Sequence, residues 1–268
     1  MTSLPKSFRL DGKAALVTGG ASHLGYDIAS ALASAGCSVA VTSRRPEKAA
    51  QSAARLAQEF GVQAVGLALD VRDTASIDRA VEEAIGALGK IDILVNNSGG
   101  GAGKSEAILT ERDVADIREV IDSNLTGTIL VTRCVVPGMI ERGAGKIINL
   151  GSIAGIVGRD RRIYQPSGMK GQPVDYAAAK AGIIGLTRDL AGWLSPMGIN
   201  VNAISPGGFG PRDLPDDFVS AYGDKTPLGH MGRDGKDILG AALFLASSAS
   251  DYVTGQNLVV DGGFSIWK

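Results

Sequence analysis

Short unbroken apolar runs alternate along the chain with longer stretches of helical period. "KAALVTG" reads as a strand, and "LGYDIASALASAG" as a helix closed by Gly36. "CSVAVTS" is the next strand, and "PEKAAQSAARLAQEFG" a helix opened by Pro46 and stopped by Gly61. The strand "VQAVGLALD" precedes the helix "TASIDRAVEEAIGALG", with Thr74 as its expected N-cap. "IDILVNN" is a strand, and one long helix is expected from about Glu111 to Gly138. The second half reads strand "GKIINLGS", helix "VDYAAAKAGIIGLTRDLAGWL", strand "INVNAIS", helix "KDILGAALFLASS" and strand "QNLVVDGG".

Near-regular β-α alternation with strands apolar on both faces implies a parallel sheet covered by helices on each side. Right-handed crossovers then give an α/β, doubly wound, seven-stranded sheet of Rossmann type. No linker divides the chain, so residues 1–268 are expected to form a single domain. The rhythm breaks near residues 155–175 and 207–235, both rich in Gly, Pro and charge. Both follow strands, and ligands sit beyond the C-terminal ends of strands in such sheets.

Composition narrows the choices. Charges nearly balance, 27 basic against 28 acidic, without blocks of one sign. Nucleic-acid binding through a broad basic surface is therefore not expected. The N-terminus carries no apolar secretion segment, and no apolar stretch approaches the roughly 20 residues that span a bilayer. A cytoplasmic protein is expected, with no membrane partner. Cys37 and Cys134 are too few for a metal cluster and read as ordinary buried thiols. Low aromatic content, 5 %, argues mildly against a pocket for large flat apolar substrates.

"TGGASHLG", Thr18 to Gly25, follows a strand and opens a helix. Gly19 and Gly25 permit a tight turn and close packing, and the helix N-terminus favours a pyrophosphate. About twenty residues on, a carboxylate would hold a free ribose 2′-OH, whereas a 2′-phosphate needs positive charge. Ser43 and Arg44 stand there, with Arg45 as a weaker candidate. NADP(H) is favoured and NAD(H) stays possible.

Tyr176 and Lys180 are four apart on one helix and share a face. Ser152 ends a strand in the ligand-facing zone, and Asn124 and Gly127 sit inside a helix where neither is favoured. With "LDV", "NNSG", "SNLTG", "NLGS", "YAAAK", "SPGG" and "YVTGQNLVVDGG" in order, the chain resembles the short-chain dehydrogenase/reductase family over nearly its whole length.

That resemblance implies Tyr176 as general acid/base, with Lys180 and an oxidised nicotinamide lowering its pKa. Ser152 would orient the substrate oxygen, Asn124 would hold a water that links Lys180 to solvent, and Lys180 would bind the nicotinamide ribose. Asp70 and the Val71 backbone would meet adenine, and Asn97 the adenosine ribose. Pro206, Gly207 and Phe209 would flank the nicotinamide. Ser22, Leu24 and Gly99 fall within the matching cofactor segments. A homotetramer is implied as well.

The chain departs from the family in places. His23 replaces the middle glycine of the turn; a negative φ would accommodate it and aim the ring at the phosphates. Ser98 stands for the usual Ala, and Pro211 lies near a usual Thr. The stretch between Ser152 and Tyr176 is unusually long and carries Arg159, Arg161, Arg162, Tyr164, Gln165 and Lys170. Such a loop suits a polar substrate, including a carboxylate or phosphate. Lys104, Ser105 and Glu106 are candidates for polyol hydroxyls. The expected activity is interconversion of a secondary alcohol and a ketone on a sugar, sugar acid or polyol. Alternatives are reduction of a 3-oxoacyl or steroid-like ketone, or a catalytically silent cofactor-binding regulator.

Overall fold

Alternate residues of each strand point to opposite faces, and both faces of this sheet are buried. The computed structural model describes residues 4–101, 103–210 and 213–267. Ala15 and Val17 of strand β1 (Ala14–Val17) join one apolar cluster, with Leu16 in the other. Val39 and Val41 of β2 (Ser38–Ser43) likewise oppose Ala40, and Ile93 and Val95 of β4 (Ile93–Asn96) oppose Leu94. With β3 (Ala64–Ala68), β5 (Gly145–Leu150), β6 (Ile199–Pro206) and β7 (Asn257–Val260), the strands form one sheet ordered β3-β2-β1-β4-β5-β6-β7, every pairing parallel. The order reverses beside β1, which pairs with both β2 and β4. A crevice opens there at the strands' C-terminal ends.

The helices are α1 (His23–Ser34), α2 (Pro46–Phe60), α3 (Thr74–Leu88), α4 (Val114–Ile121), α5 (Gly127–Arg142), α6 (Val174–Leu194), α7 (Asp216–Asp224) and α8 (Leu239–Ala246). Pro46 opens α2, and Gly61 closes it at φ +67°. Thr74 is not the N-cap of α3. Asp73 is, its carboxylate accepting from the Ala75 N–H at 3.0 Å.

The long helix expected from Glu111 is two, α4 and α5, joined by a π-helical turn over Asp122–Thr126. Such turns widen a helix locally and favour functional positions. Asn124 sits in it, fully buried. Gly127 opens α5 because a Cβ there would lie 2.7 Å from the Val71 side chain. The region after β6 contains α7, which the sequence pattern did not suggest. Cys37 is buried as expected, but Cys134 is only partly so, its thiol facing Asp78. Among the described residues no helix is long and apolar enough to cross a membrane.

Candidate active site

The crevice beside β1 holds a cleft of about 900 Å³. Gly19 turns the chain at φ +62°, its N–H donating to Thr42 Oγ1 at 3.1 Å. Asn97 braces this turn: its amide donates to the Thr18 and Gly19 carbonyls at 3.0 and 3.2 Å. A Cβ on Gly25 would lie 2.4 Å from both Asn97 Nδ2 and the Gly19 carbonyl oxygen. The two glycines therefore let α1 start directly beneath the cleft. Among the described residues, the first turn of α1 carries no acid and Ser22 makes no side-chain cap. Its N–H groups stay available to an anion.

His23 has φ +51°, alone among the described non-glycine residues in the left-handed region. The expected negative φ is wrong. The turn keeps the backbone a glycine would adopt, and the histidine carries about 1–2 kcal/mol of strain there. Its exposed side chain lies on the cleft's rim. Ser22, Leu24, Ser43, Arg44, Asp70, Val71, Asn97, Gly99, Tyr176, Lys180 and Pro206 line the same cleft.

Lys48 and Arg72 line it too and were not anticipated; Lys48 lies within α2, one turn past the strand end that drew attention. Ser43 Oγ accepts from the Arg45 N–H at 3.1 Å, which leaves its own proton to donate. Arg72 chelates Asp70 at 3.0 and 2.7 Å, and that hydrogen bonding lowers the Asp70 pKa. Three cations, Arg44, Arg45 and Lys48, thus face the cleft where β2 ends, with no carboxylate on that strand end. A dinucleotide carrying a 2′-phosphate fits this donor set and volume.

At the far end, α6 presents Tyr176 and Lys180. Lys180 is buried at the cleft wall, and its ammonium donates to the Leu150 carbonyl at 2.8 Å, 5.7 Å from the centre of the Tyr176 ring. Burial holds its pKa down to about 8. Burial pushes the Tyr176 phenol up, against a hydrogen bond with Ser152 and the charge of Arg159, which pull it down. Among the protein's own groups desolvation outweighs the rest, whereas the acidification expected from the sequence belongs to Lys180 acting together with an oxidised nicotinamide. Ser152 caps the short turn after β5, its Oγ accepting from the Ala154 N–H at 3.1 Å. The Asn124 side chain holds the loop after β4, accepting from the Gly100 N–H at 2.7 Å and donating to the Val120 carbonyl at 2.9 Å. It lines neither cavity.

Tyr176 also borders a second, smaller cavity of about 250 Å³, together with Ser152, Gly207 and Phe209. One phenol therefore stands between a nucleotide-sized cleft and a small-molecule pocket. A family model described as enoyl-(acyl carrier protein) reductase matches residues 19–265. The chain belongs to the short-chain dehydrogenase/reductase family. It is an NAD(P)-dependent oxidoreductase. It is 37 % identical over 259 residues to a 3-oxoacyl-acyl-carrier-protein reductase of Aquifex aeolicus, covering 95 % of this chain and 98 % of that one. A galactitol 2-dehydrogenase of Cereibacter sphaeroides is 37 % identical over 267 residues, covering 97 % and 98 %. The crystal structure of a gluconate 5-dehydrogenase from Burkholderia cenocepacia J2315, in complex with NADP and tartrate, superposes with TM-score 0.87 at 36 % identity, covering 98 % of each chain.

Within this dehydrogenase the small pocket corrects several expectations. Six of the eleven Phe and Tyr residues line it: Tyr164, Tyr176, Phe209, Phe218, Tyr222 and Phe264. Low average aromatic content hides this lining, because the aromatics are concentrated. Arg161 and Arg162 are exposed and do not line it, Arg162 pairing with Asp160 at 2.8 Å. Lys170 pairs with Glu106, which joins the insert to the loop after β4. Lys104 and Ser105 bind Asp116 through their N–H groups. Neither they nor Glu106 line the pocket. Met169 and Met231, given no role from sequence, do line it. Pro211 falls outside the described residues.

Proposed function

We propose that this enzyme interconverts a secondary alcohol and a ketone on a small polar substrate, a sugar acid or polyol, with NADP(H). One observation carries the reading: Tyr176 borders both cavities, with Ser152 in the smaller and Lys180 in the larger. When bound, the nicotinamide supplies the hydride acceptor or donor. In oxidation the Tyr176 oxygen takes the hydroxyl proton, while Ser152 hydrogen-bonds the same substrate oxygen. In reduction Tyr176 returns the proton. Lys180, held at the Leu150 carbonyl, stands beside the phenol as a cation that favours phenolate and as a ribose ligand. Asn124 anchors the Gly100 loop and the π-helical turn, from which the water link to Lys180 would run.

Arg44, Arg45 and Lys48 support preference for a 2′-phosphate. The galactitol and gluconate enzymes among the relatives support a polyol or sugar acid. The aromatic lining favours a second reading, reduction of a 3-oxoacyl or other less polar ketone. We place the enzyme in the cytoplasm as a homotetramer; exposed Ile129, Trp193, Ile266 and Trp267 are apolar surface that such an assembly would cover.

The test is absorbance at 340 nm with NADP⁺ or NAD⁺ against gluconate, alditols and secondary alcohols, and with NADPH against 3-oxoacyl thioesters. Turnover of gluconate or an alditol with a preference for NADP⁺ is expected. Turnover of the thioesters alone would favour the second reading. Cofactor binding without turnover of any substrate would mark a silent binder and refute both.

A further inference from the structure

We propose that Arg159 is the substrate-specificity residue of this site: it receives a carboxylate, so the preferred substrate is a short hydroxy or keto acid and not the neutral polyol. The inference rests on the oxidoreductase reading above and assigns the substrate's charge.

Among the described residues lining the small pocket, Arg159 is the one that carries a charge. The remaining lining is aromatic, aliphatic or neutral polar. One of its five N–H donors is engaged, by the Gln172 carbonyl at 3.1 Å. No carboxylate among the described residues pairs with it, whereas its neighbours Arg162 and Lys170 each have one. This half-exposed guanidinium, with no carboxylate beside it, has donors free to receive an anion entering the cavity.

Gln172 lies on the same pocket wall, its Oε1 buried with no hydrogen-bond partner. With essentially no accessible surface this oxygen faces protein and not the cavity, and Gln172 serves the site by holding Arg159 through its main-chain carbonyl. Arg159, the charged donor on an otherwise neutral wall, is complementary to a molecule bearing a carboxylate. The charge of Arg159 is felt at Tyr164, Tyr176 and Tyr222, which locates it among the three phenols of the pocket. A carboxylate bound to Arg159 would then leave the hydroxyl-bearing carbons of the same molecule near Ser152 and Tyr176. The cavity, about 250 Å³, has room for a short acid.

Binding and turnover are measured separately on the full-length enzyme. Calorimetric titration with D-gluconate, tartrate and neutral D-sorbitol, in the presence of NADP⁺, is run on the wild type, Arg159→Gln, Arg159→Lys and, as a charge-matched control, Arg162→Gln. Gluconate is expected to bind the wild type more tightly than sorbitol. Arg159→Gln should weaken gluconate about 10- to 100-fold and sorbitol far less. Arg159→Lys should recover part of the loss, and Arg162→Gln should behave as wild type. Equal losses for gluconate and sorbitol, or a wild type that binds no carboxylate, would overturn the assignment. Turnover at 340 nm separates this inference from its parent. Arg159-dependent carboxylate binding without any turnover would sink the oxidoreductase reading alone. Turnover indifferent to Arg159→Gln would sink this inference alone.

Discussion

Lys180 gives the sharpest physical test, because its side chain is charged, buried and tied to one carbonyl. It is 4 % exposed, and burial lowers its pKa from 10.5 to about 8. Below pH 8 the folded protein bears the full burden of a buried ammonium, about 3 kcal/mol at 1.36 kcal/mol per pKa unit. Between pH 8 and 10.5 the unfolded chain still holds a proton that the folded chain has lost. Raising the pH through that window therefore favours the folded state, and the burden fades.

Lys180→Met removes the charge but also the hydrogen bond to Leu150, a pH-independent loss of about 1 kcal/mol. The difference in unfolding free energy between Lys180→Met and wild type isolates the lysine from every other titrating group. That difference should shift toward the wild type by about 2 kcal/mol between pH 7 and 9.5. Urea unfolding followed by circular dichroism, without cofactor and at fixed protein concentration, reads it. A difference that stays flat across this range would mean that the lysine is not desolvated, and the reasoning about its environment would fail.

His23→Gly relieves the left-handed strain while loosening the unfolded chain, two terms of about 1 kcal/mol that nearly cancel. Its melting temperature should hardly move, and its NADPH affinity should fall if the imidazole donates to the cofactor; an unchanged affinity by fluorescence titration excludes that donor. Gly25→Ala forces a Cβ to 2.4 Å from Asn97 Nδ2 and the Gly19 carbonyl oxygen, so NADPH affinity should drop at least about tenfold; wild-type affinity in the same titration would contradict the cradle. Arg112, with a fully buried side chain, pairs with buried Asp175 at 2.8 Å and ties the loop after β4 to the start of α6. Arg112→Leu should cost about 3–5 kcal/mol, and the double variant with Asp175→Leu should recover much of it; additive losses in urea unfolding would show that the pair is not coupled.

The parallel strands were legible because burial on both faces leaves an apolar run with no ambiguity of register. The bounds of α6 and the Pro46 and Gly61 ends of α2 followed from local chemistry that nothing in the fold opposes. Asp73 and Thr74 are adjacent residues that both cap well, and only the coordinates decide between them. The π-helical turn at Asn124 leaves no trace in a helical hydrophobic period. Composition hid the aromatic pocket, since an average carries no position. Arg159, Arg161 and Arg162 look alike in sequence; Asp160 draws Arg162 aside, while Arg159 faces the cavity, and no local rule foretells that. The residues matching the family's motifs were findable in order, while the pocket walls, drawn from segments far apart in the chain, were not.

The proton-transfer role of Tyr176 is tested most directly by Tyr176→Phe, with NADPH affinity and turnover measured side by side. Fluorescence titration should give an NADPH affinity within about threefold of wild type, because the ring stays and only the hydroxyl goes. The turnover number at 340 nm, on whichever substrate the wild type uses, should fall by about 10²–10⁴. A variant that keeps most of its turnover would contradict the assignment of Tyr176 as the acid/base.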